Sequence, residues 1–170
     1  MNITTNRLHI RLLQADDDRA LARLADDFSR SPYWMYDMPS PTDPEKIRKL
    51  TKMFAESEQF YAVFLPDEPE MIGYICFYHN GDCYDMGYRF HSAFHGHGYA
   101  HEACIAAMEH MRSVHPIKAF TAGTALKNEP SCRLLHKLGF MLESTEELSF
   151  HKAADGSDIV FTGGNFIKPL

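Results

Sequence analysis

The sequence is poor in cysteine, in positive charge and in long apolar runs, and each shortage removes a class of protein. Its four cysteines, Cys76, Cys83, Cys104 and Cys132, show no Cys-x-x-Cys spacing and fall inside apolar segments. That usage suits buried free thiols in a reducing compartment better than a disulfide framework, so a cytoplasmic location is expected. No stretch approaches the roughly 18 uninterrupted apolar residues of a membrane span, and the opening Met1-Asn2-Ile3-Thr4-Thr5-Asn6-Arg7 has no apolar run leading to a small-residue cleavage site. Lys and Arg number 17 against 23 Asp and Glu, a net charge of -6, which argues against a surface built to neutralise nucleic-acid phosphates. What is present is 45% hydrophobic content in 170 residues, enough for one core and too little chain for two typical domains; residues 1–170 are expected to form a single domain.

Leu8-His9-Ile10-Arg11-Leu12 alternates like a half-buried strand, and Asp16-Asp17-Asp18 opens a helix carrying Leu21, Leu24, Ala25 and Phe28 on one face. Pro32, Pro39, Pro41 and Pro44 bound a loop around Tyr33-Trp34-Met35-Tyr36; Asp43-Pro44-Glu45 then opens a second helix with Ile47, Leu50 and Phe54 as its buried stripe. Strand-like runs follow over 61–65, 71–78 and 83–90, the last two joined by His79-Asn80-Gly81-Asp82, a tight-hairpin signal. From Ala100 apolar residues recur at helical spacing until Pro116, and 117–125 returns to strand character, giving a strand, turn, helix, strand crossover. A shorter helix spans about Glu129 to Leu138, with Pro130 near its start and Gly139 at its end, and a closing hairpin covers 140–151 and 159–166.

The chemistry gathers at the strand-to-helix turn His95-Gly96-His97-Gly98-Tyr99-Ala100, where two glycines one residue apart let the backbone approach a ligand. Successive amides at a helix start offer donors and a positive dipole end to phosphate oxygens. No Lys or Arg lies within the turn, so a diphosphate bound there would be held mainly by main chain, with little help from side chains. The dinucleotide fingerprint lacks its third glycine and the Walker loop its Gly-Lys-Ser/Thr, which disfavours a nicotinamide cofactor and excludes a P-loop. His95, His97 and His101 lie close together, but without a carboxylate-bearing zincin pattern or a thiolate pair no metal is expected.

Three runs carry a resemblance: Asp85-Met86-Gly87-Tyr88; Phe94-His95-Gly96-His97-Gly98-Tyr99-Ala100-His101-Glu102-Ala103; and Asn128-Glu129-Pro130-Ser131 through Leu138-Gly139-Phe140. In this order, after Arg7-Leu8-His9-Ile10-Arg11, they resemble the GNAT (GCN5-related N-acetyltransferase) superfamily, particularly the branch similar to ribosomal-protein N-terminal acetyltransferases. The resemblance implies an α/β (α+β) fold with a mixed, mostly antiparallel central sheet of about six to seven strands, flanked by about four helices and splayed between the fourth and fifth strands. It also implies acetyl-CoA as co-substrate in that gap. By that likeness Phe90, His91 and nearby backbone pair with the pantetheine amides, His95, Gly96, His97, Gly98, Tyr99 and Ala100 surround the pyrophosphate, and Asn128 and Ser131 contact the cofactor. Asn and Ser at a helix start also serve as caps. Two positions depart from the family: Ala93 stands for its usual Gln or Arg, and Leu135 for the Tyr that many relatives use as general acid.

Acetyl transfer to an amine needs a base for the amine, polarisation of the thioester and an acid for the thiolate. Asp85 matches a strand position that holds a Glu base in relatives; Glu146 and Glu147 are the substitutes, and strand alternation turns only one of those two towards a given face. Ser131 is the candidate acid by analogy with relatives lacking the Tyr, and Tyr88 and Tyr99 are further phenols nearby. The acceptor pocket is expected around Tyr33, Trp34, Tyr36 and Asp37, where Asp37 would attract an ammonium group. A small-molecule amine, or the N-terminus of a peptide, fits that chemistry; the rival reading is a non-catalytic acyl-CoA-binding sensor of the same fold. The closing hairpin and Phe166-Ile167-Lys168-Pro169-Leu170 are compatible with a homodimer.

Overall fold

The computed structural model describes residues 2–170. Strands β1 (Asn2–Thr4) and β2 (His9–Leu12) lead into helix α1 (Asp18–Ser29), a 3₁₀ turn at Trp34–Tyr36, and helix α2 (Pro44–Ser57). Strands β3 (Phe60–Phe64), β4 (Met71–Asn80) and β5 (Cys83–Phe90) form the meander; a 3₁₀ turn at Ser92–Phe94 precedes helix α3 (Tyr99–Val114). The chain closes with β6 (Ala119–Ala125), α4 (Glu129–Lys137), β7 (Met141–Leu148) and β8 (Phe161–Pro169). Among the described residues the fold is thus mixed α/β with four α-helices and one eight-stranded sheet, ordered β1-β2-β3-β4-β5-β6-β8-β7.

All neighbouring strands are antiparallel except β5 and β6. That one parallel pair registers only Cys83, Tyr84 and Asp85 against Ala119, Phe120 and Thr121. Beyond Asp85 the two strands diverge, and this is the expected splay. It falls between the fifth and sixth strands because β1, too short to show an alternating pattern, adds a hairpin partner to β2 through Asn2↔Arg11 and Thr4↔His9. The C-terminal Phe166–Pro169 stretch lies in β8, between β6 and β7, so the sheet edge is β7.

The sheet is covered on both faces. Ile10, Val63, Ile75, Phe77, Met86 and Phe120 pack against Cys104, Ala107, Met108 and Met111 of α3 and Leu135 of α4. On the other side Leu13, Phe60, Ala62, Met71 and Cys76 pack against Leu21 and Leu24 of α1. Each large side chain removed from water in this way contributes roughly 1.5–3 kcal/mol before entropy is counted.

Helix α2 departs from its expected packing. The Asp43 carboxylate caps it by accepting from Lys46 N at 2.9 Å, with Pro44 in the first turn. Yet Ile47, Leu50 and Phe54 are only half-buried, because they line a cavity of about 640 Å³ between α1, α2 and residues 37–41. Thr51 takes the fully buried position instead and satisfies its hydroxyl by donating to Ile47 O at 2.8 Å. Among the described residues no helix is long and apolar enough to cross a membrane.

Candidate active site

The divergence of β5 from β6 opens a cleft of about 740 Å³, lined by Met86–Phe90 on one wall and by Gly123–Ala125, Asn128, Ser131 and Leu134 on the other. The register of β5 decides which of its backbone groups face this gap. His91 N–H donates to Ile72 O at 2.9 Å, on the β4 side. Since residues along a strand send their amides and carbonyls alternately to either side, Tyr88 and Phe90 turn theirs towards the cleft. His91 therefore spends its amide within the sheet, and its Nδ1 accepts from Ala93 N at 3.2 Å. Phe90 O is met by His95 Nε2 at 2.8 Å.

The glycine turn closes one end of the cleft. Gly96 and Gly98 both adopt left-handed backbone, with φ of 79° and 80°. Nothing lies within 4 Å of a Cβ built on Gly96, so conformation and not space demands glycine there. Gly98 is the N-cap of α3 and brings no side-chain cap, which leaves the first-turn amides of α3, from Tyr99 and Ala100 onward, open to a ligand. Gly96, Gly98, Tyr99, Ala100 and His95 line the cleft; the His97 ring turns aside to stack on Tyr99, with Nδ1 2.8 Å from His95 O.

Three residues to which the sequence assigns no role of their own fix this turn. Arg7 reaches it from the β1–β2 connection, donating from Nη1 to His97 O at 2.9 Å and pairing with Glu102 at 2.6 Å, its guanidinium over the Tyr99 ring. Burial raises the Glu102 carboxyl, but hydrogen bonds from Thr5 and Arg7 outweigh it and hold the group below its ordinary range. Asp27 of α1 binds the other side, accepting from Ser92 N at 2.8 Å and Ser92 Oγ at 2.6 Å. Burial again pushes up, and the two Ser92 bonds with His91 and His95 bring the net value down.

On α4 the Asn128 carboxamide accepts weakly from Ser131 N at 3.4 Å as a helix cap. Ser131 Oγ lies 2.8 Å from Tyr88 Oη across the cleft wall. Leu135 is fully buried in the core, whereas Leu134 lines the cleft. Asp85 sits where β5 and β6 are still paired and accepts from Thr121 Oγ1 at 2.8 Å; it is not part of the cleft lining. The two glutamates separate by alternation. Glu146 shares the face of cleft-lining Leu148 and accepts from cleft-lining Asn165 at 3.1 Å, while Glu147 accepts from Thr162 at 2.9 Å.

The aromatic loop forms the opposite wall. Tyr33, Tyr36 and Asp37 line the cleft; Trp34 does not, and packs edge-on against His151 with centroids 4.6 Å apart. Tyr36 rests on Phe161, and His151 Nε2 lies 2.8 Å from Asp37 O, which fastens the loop to the segment after β7. The Asp37 carboxylate is engaged by Arg89, whose guanidinium also covers the Phe28 ring at 4.4 Å. Among the described residues no group of three or more His, Cys, Asp or Glu side chains is placed to hold a metal ion.

Residues 7–141 match the family described as acetyltransferase (GNAT) domain. The chain is 30% identical over 147 residues to a Bacillus subtilis (strain 168) protein named uncharacterized N-acetyltransferase YnaD, covering 84% of each chain. Among solved structures, it superposes on a GNAT-family acetyltransferase from Bacillus anthracis with a TM-score of 0.80 at 23% identity, covering 99% of this chain and 98% of that one. It also superposes on RimL, described as a ribosomal L7/L12 alpha-N-protein acetyltransferase in complex with coenzyme A, with a TM-score of 0.81 at 19% identity over 100% of this chain and 98% of that one.

Proposed function

Because the chain belongs to the acetyltransferase (GNAT) domain family, we propose that it transfers acetyl from acetyl-CoA to a primary amine presented by a small molecule or by the N-terminus of a peptide. The observation that carries this reading is the cleft itself: unpaired β5 backbone on one wall, a glycine turn with uncapped helix amides at its end, and an aromatic, charged wall opposite. A cleft of about 740 Å³ falls within the volume range of cofactor sites, roughly 300–1,000 Å³.

Within that reading the open amides of Gly98, Tyr99 and Ala100 hold the pyrophosphate, and Tyr88 and Phe90 bind the pantetheine amides with their main chain. Such binding fixes the thioester where β5 leaves β6. Glu146, the exposed carboxylate just outside the lining that accepts from cleft-lining Asn165, takes the amine proton directly or through one water, and Asp85 is the alternative at the closed end of the gap. The free amine then forms the C–N bond as the C–S bond breaks, and Ser131 donates a hydrogen bond to the departing sulfur. Tyr33, Tyr36 and Asp37 position the acceptor. Free thiols throughout suit the reducing cytoplasm.

Calorimetric titration with acetyl-CoA and CoA, followed by thiol-release assays over a panel of amines and N-terminal peptides, tests the proposal. Binding with acceptor-dependent release of CoA is the expected result. Absence of binding overturns it, and binding without release on any acceptor would favour an acyl-CoA-binding module.

A further inference from the structure

The packing of β5 against α4 contains one polar contact that the cofactor cradle does not require. Tyr88 follows Met86 and precedes Phe90 on the face of β5 that meets α3 and α4, and both of those neighbours are buried apolar residues. A phenylalanine ring would fill the same space. The Tyr88 hydroxyl nevertheless reaches Ser131, lying 2.8 Å from its Oγ, the nearer acceptor for its single proton, and 3.3 Å from its backbone carbonyl. Ser131 Oγ makes no bond back to a preceding carbonyl of its own helix, the usual resting place of a helical serine.

The geometry points to Tyr88 as a positioning residue for thiolate departure: its hydroxyl donates to Ser131 Oγ and so turns the single Ser131 proton into the cleft, towards the leaving sulfur. The inference rests on the acetyl-transfer reading and assigns a part of that chemistry which Leu135, buried in the core, does not supply.

A serine hydroxyl has one proton and two lone pairs. If Ser131 donates to the phenol, that proton is spent within the wall. If the phenol donates to Ser131, the proton is free for the cleft, and the second polarity strengthens as negative charge collects on sulfur, because linked hydroxyls polarise one another. Burial pushes the Tyr88 phenol well above its ordinary value, outweighing its bond with Ser131, so it remains a donor throughout the working range. Its thiol neighbours Cys104 and Cys132 are also shifted upwards by burial, which keeps anionic sulfur away from the phenol. No net proton need leave either residue: the C–S bond breaks, sulfur takes the electron pair, and the two hydroxyls lend hydrogen bonds that they recover when CoA departs.

The decisive quantity is the thiol pKa of CoA in the binary complex, read from ultraviolet thiolate absorbance against pH, since it requires no acceptor. Donors aimed at sulfur favour its charged form and lower that pKa. Tyr88→Phe is expected to raise it by about one pH unit, with an accompanying fall in turnover of roughly tenfold and little change in acetyl-CoA KM. Ser131→Ala should raise it as far, Tyr88→Phe should add nothing in that background, and Ser131→Thr should restore the coupling. A structural role alone would move stability or CoA affinity and leave the thiol titration where it was. CoA bound by wild type and Tyr88→Phe with the same thiol pKa overturns the assignment while the transferase reading stands; a wild-type protein that binds no CoA overturns both.

Discussion

Gly98 combines two demands at one residue. It caps α3 in left-handed backbone at φ 80°, and as the cap without a side chain it leaves the first-turn amides uncovered, while a Cβ there would meet only the Arg7 guanidinium at an ordinary contact of 3.5 Å. Gly98→Ala thus costs roughly 1–2 kcal/mol of backbone strain. The strain is relieved by rotating the amides that face the cleft, so CoA affinity should fall by about tenfold, with a lower melting temperature in the same protein. Titration calorimetry and thermal unfolding check both effects; unchanged affinity would detach the turn from cofactor binding. The glycines could be read directly from the sequence because conformation restricts residue type so strongly there. Arg7 could not, since it meets His97 across 90 residues of chain and nothing local marks the encounter. Asp37 was legible as a charge in a cleft loop, yet its engagement by Arg89 depends on β5 register and on the path of that loop.

At the scale of elements the turn is pinned from two helices, by Asp27 of α1 and by Glu102 of α3. Both carboxyls lie below their ordinary values in the folded state. A depressed folded pKa contributes stability that is complete above the unfolded pKa and is lost as pH falls through the folded one. Denaturation midpoints should therefore decline as pH falls below about 4.5, and Asp27→Asn, which can still accept from Ser92, should flatten that decline. An unchanged slope would place the acid sensitivity elsewhere. Strand pairing gives a second prediction. A Cβ on Gly73 would lie 2.4 Å from Phe90 Cδ1 and 2.6 Å from Arg89 O, so Gly73→Ala must push β4 from β5 at the cleft wall. A loss of about 1–3 kcal/mol is expected in urea unfolding. Elements with sustained periodicity were legible in order and type, including the hairpin at Gly81 and the crossover through α3. Strand β1 was not, because three residues paired with β2 show no period. The stripe of α2 marked a real face but not its use, since Ile47 and Leu50 line a cavity in place of core. Which of Glu146 and Glu147 lies beside Asn165 depends on the β7–β8 register, which alternation alone leaves open.

For the whole molecule the weak seam is also where the cleft opens. β1 to β5 form one sheet segment and β6, β8 and β7 another, joined by three registered pairs between β5 and β6 and by α3 packed across the sheet. A ligand that bonds to β5 main chain, to the α3 amides and to α4 bridges both segments and is absent from the unfolded chain, so binding must stabilise the fold through mass action. At CoA one hundred times its Kd the gain is about 2.7 kcal/mol. For a chain of this size that corresponds to a rise in melting temperature of roughly 5–10 °C. Pantetheine keeps the amides that would pair with β5 but lacks the pyrophosphate, and at the same multiple of its own Kd it should give the same rise while needing a far higher concentration. The ratio of the two Kd values then measures what the glycine turn contributes. A large ratio in the wild type that shrinks in Gly98→Ala assigns the difference to the turn, whereas equal Kd values for CoA and pantetheine would leave the turn as a connection between β5 and α3 and nothing more.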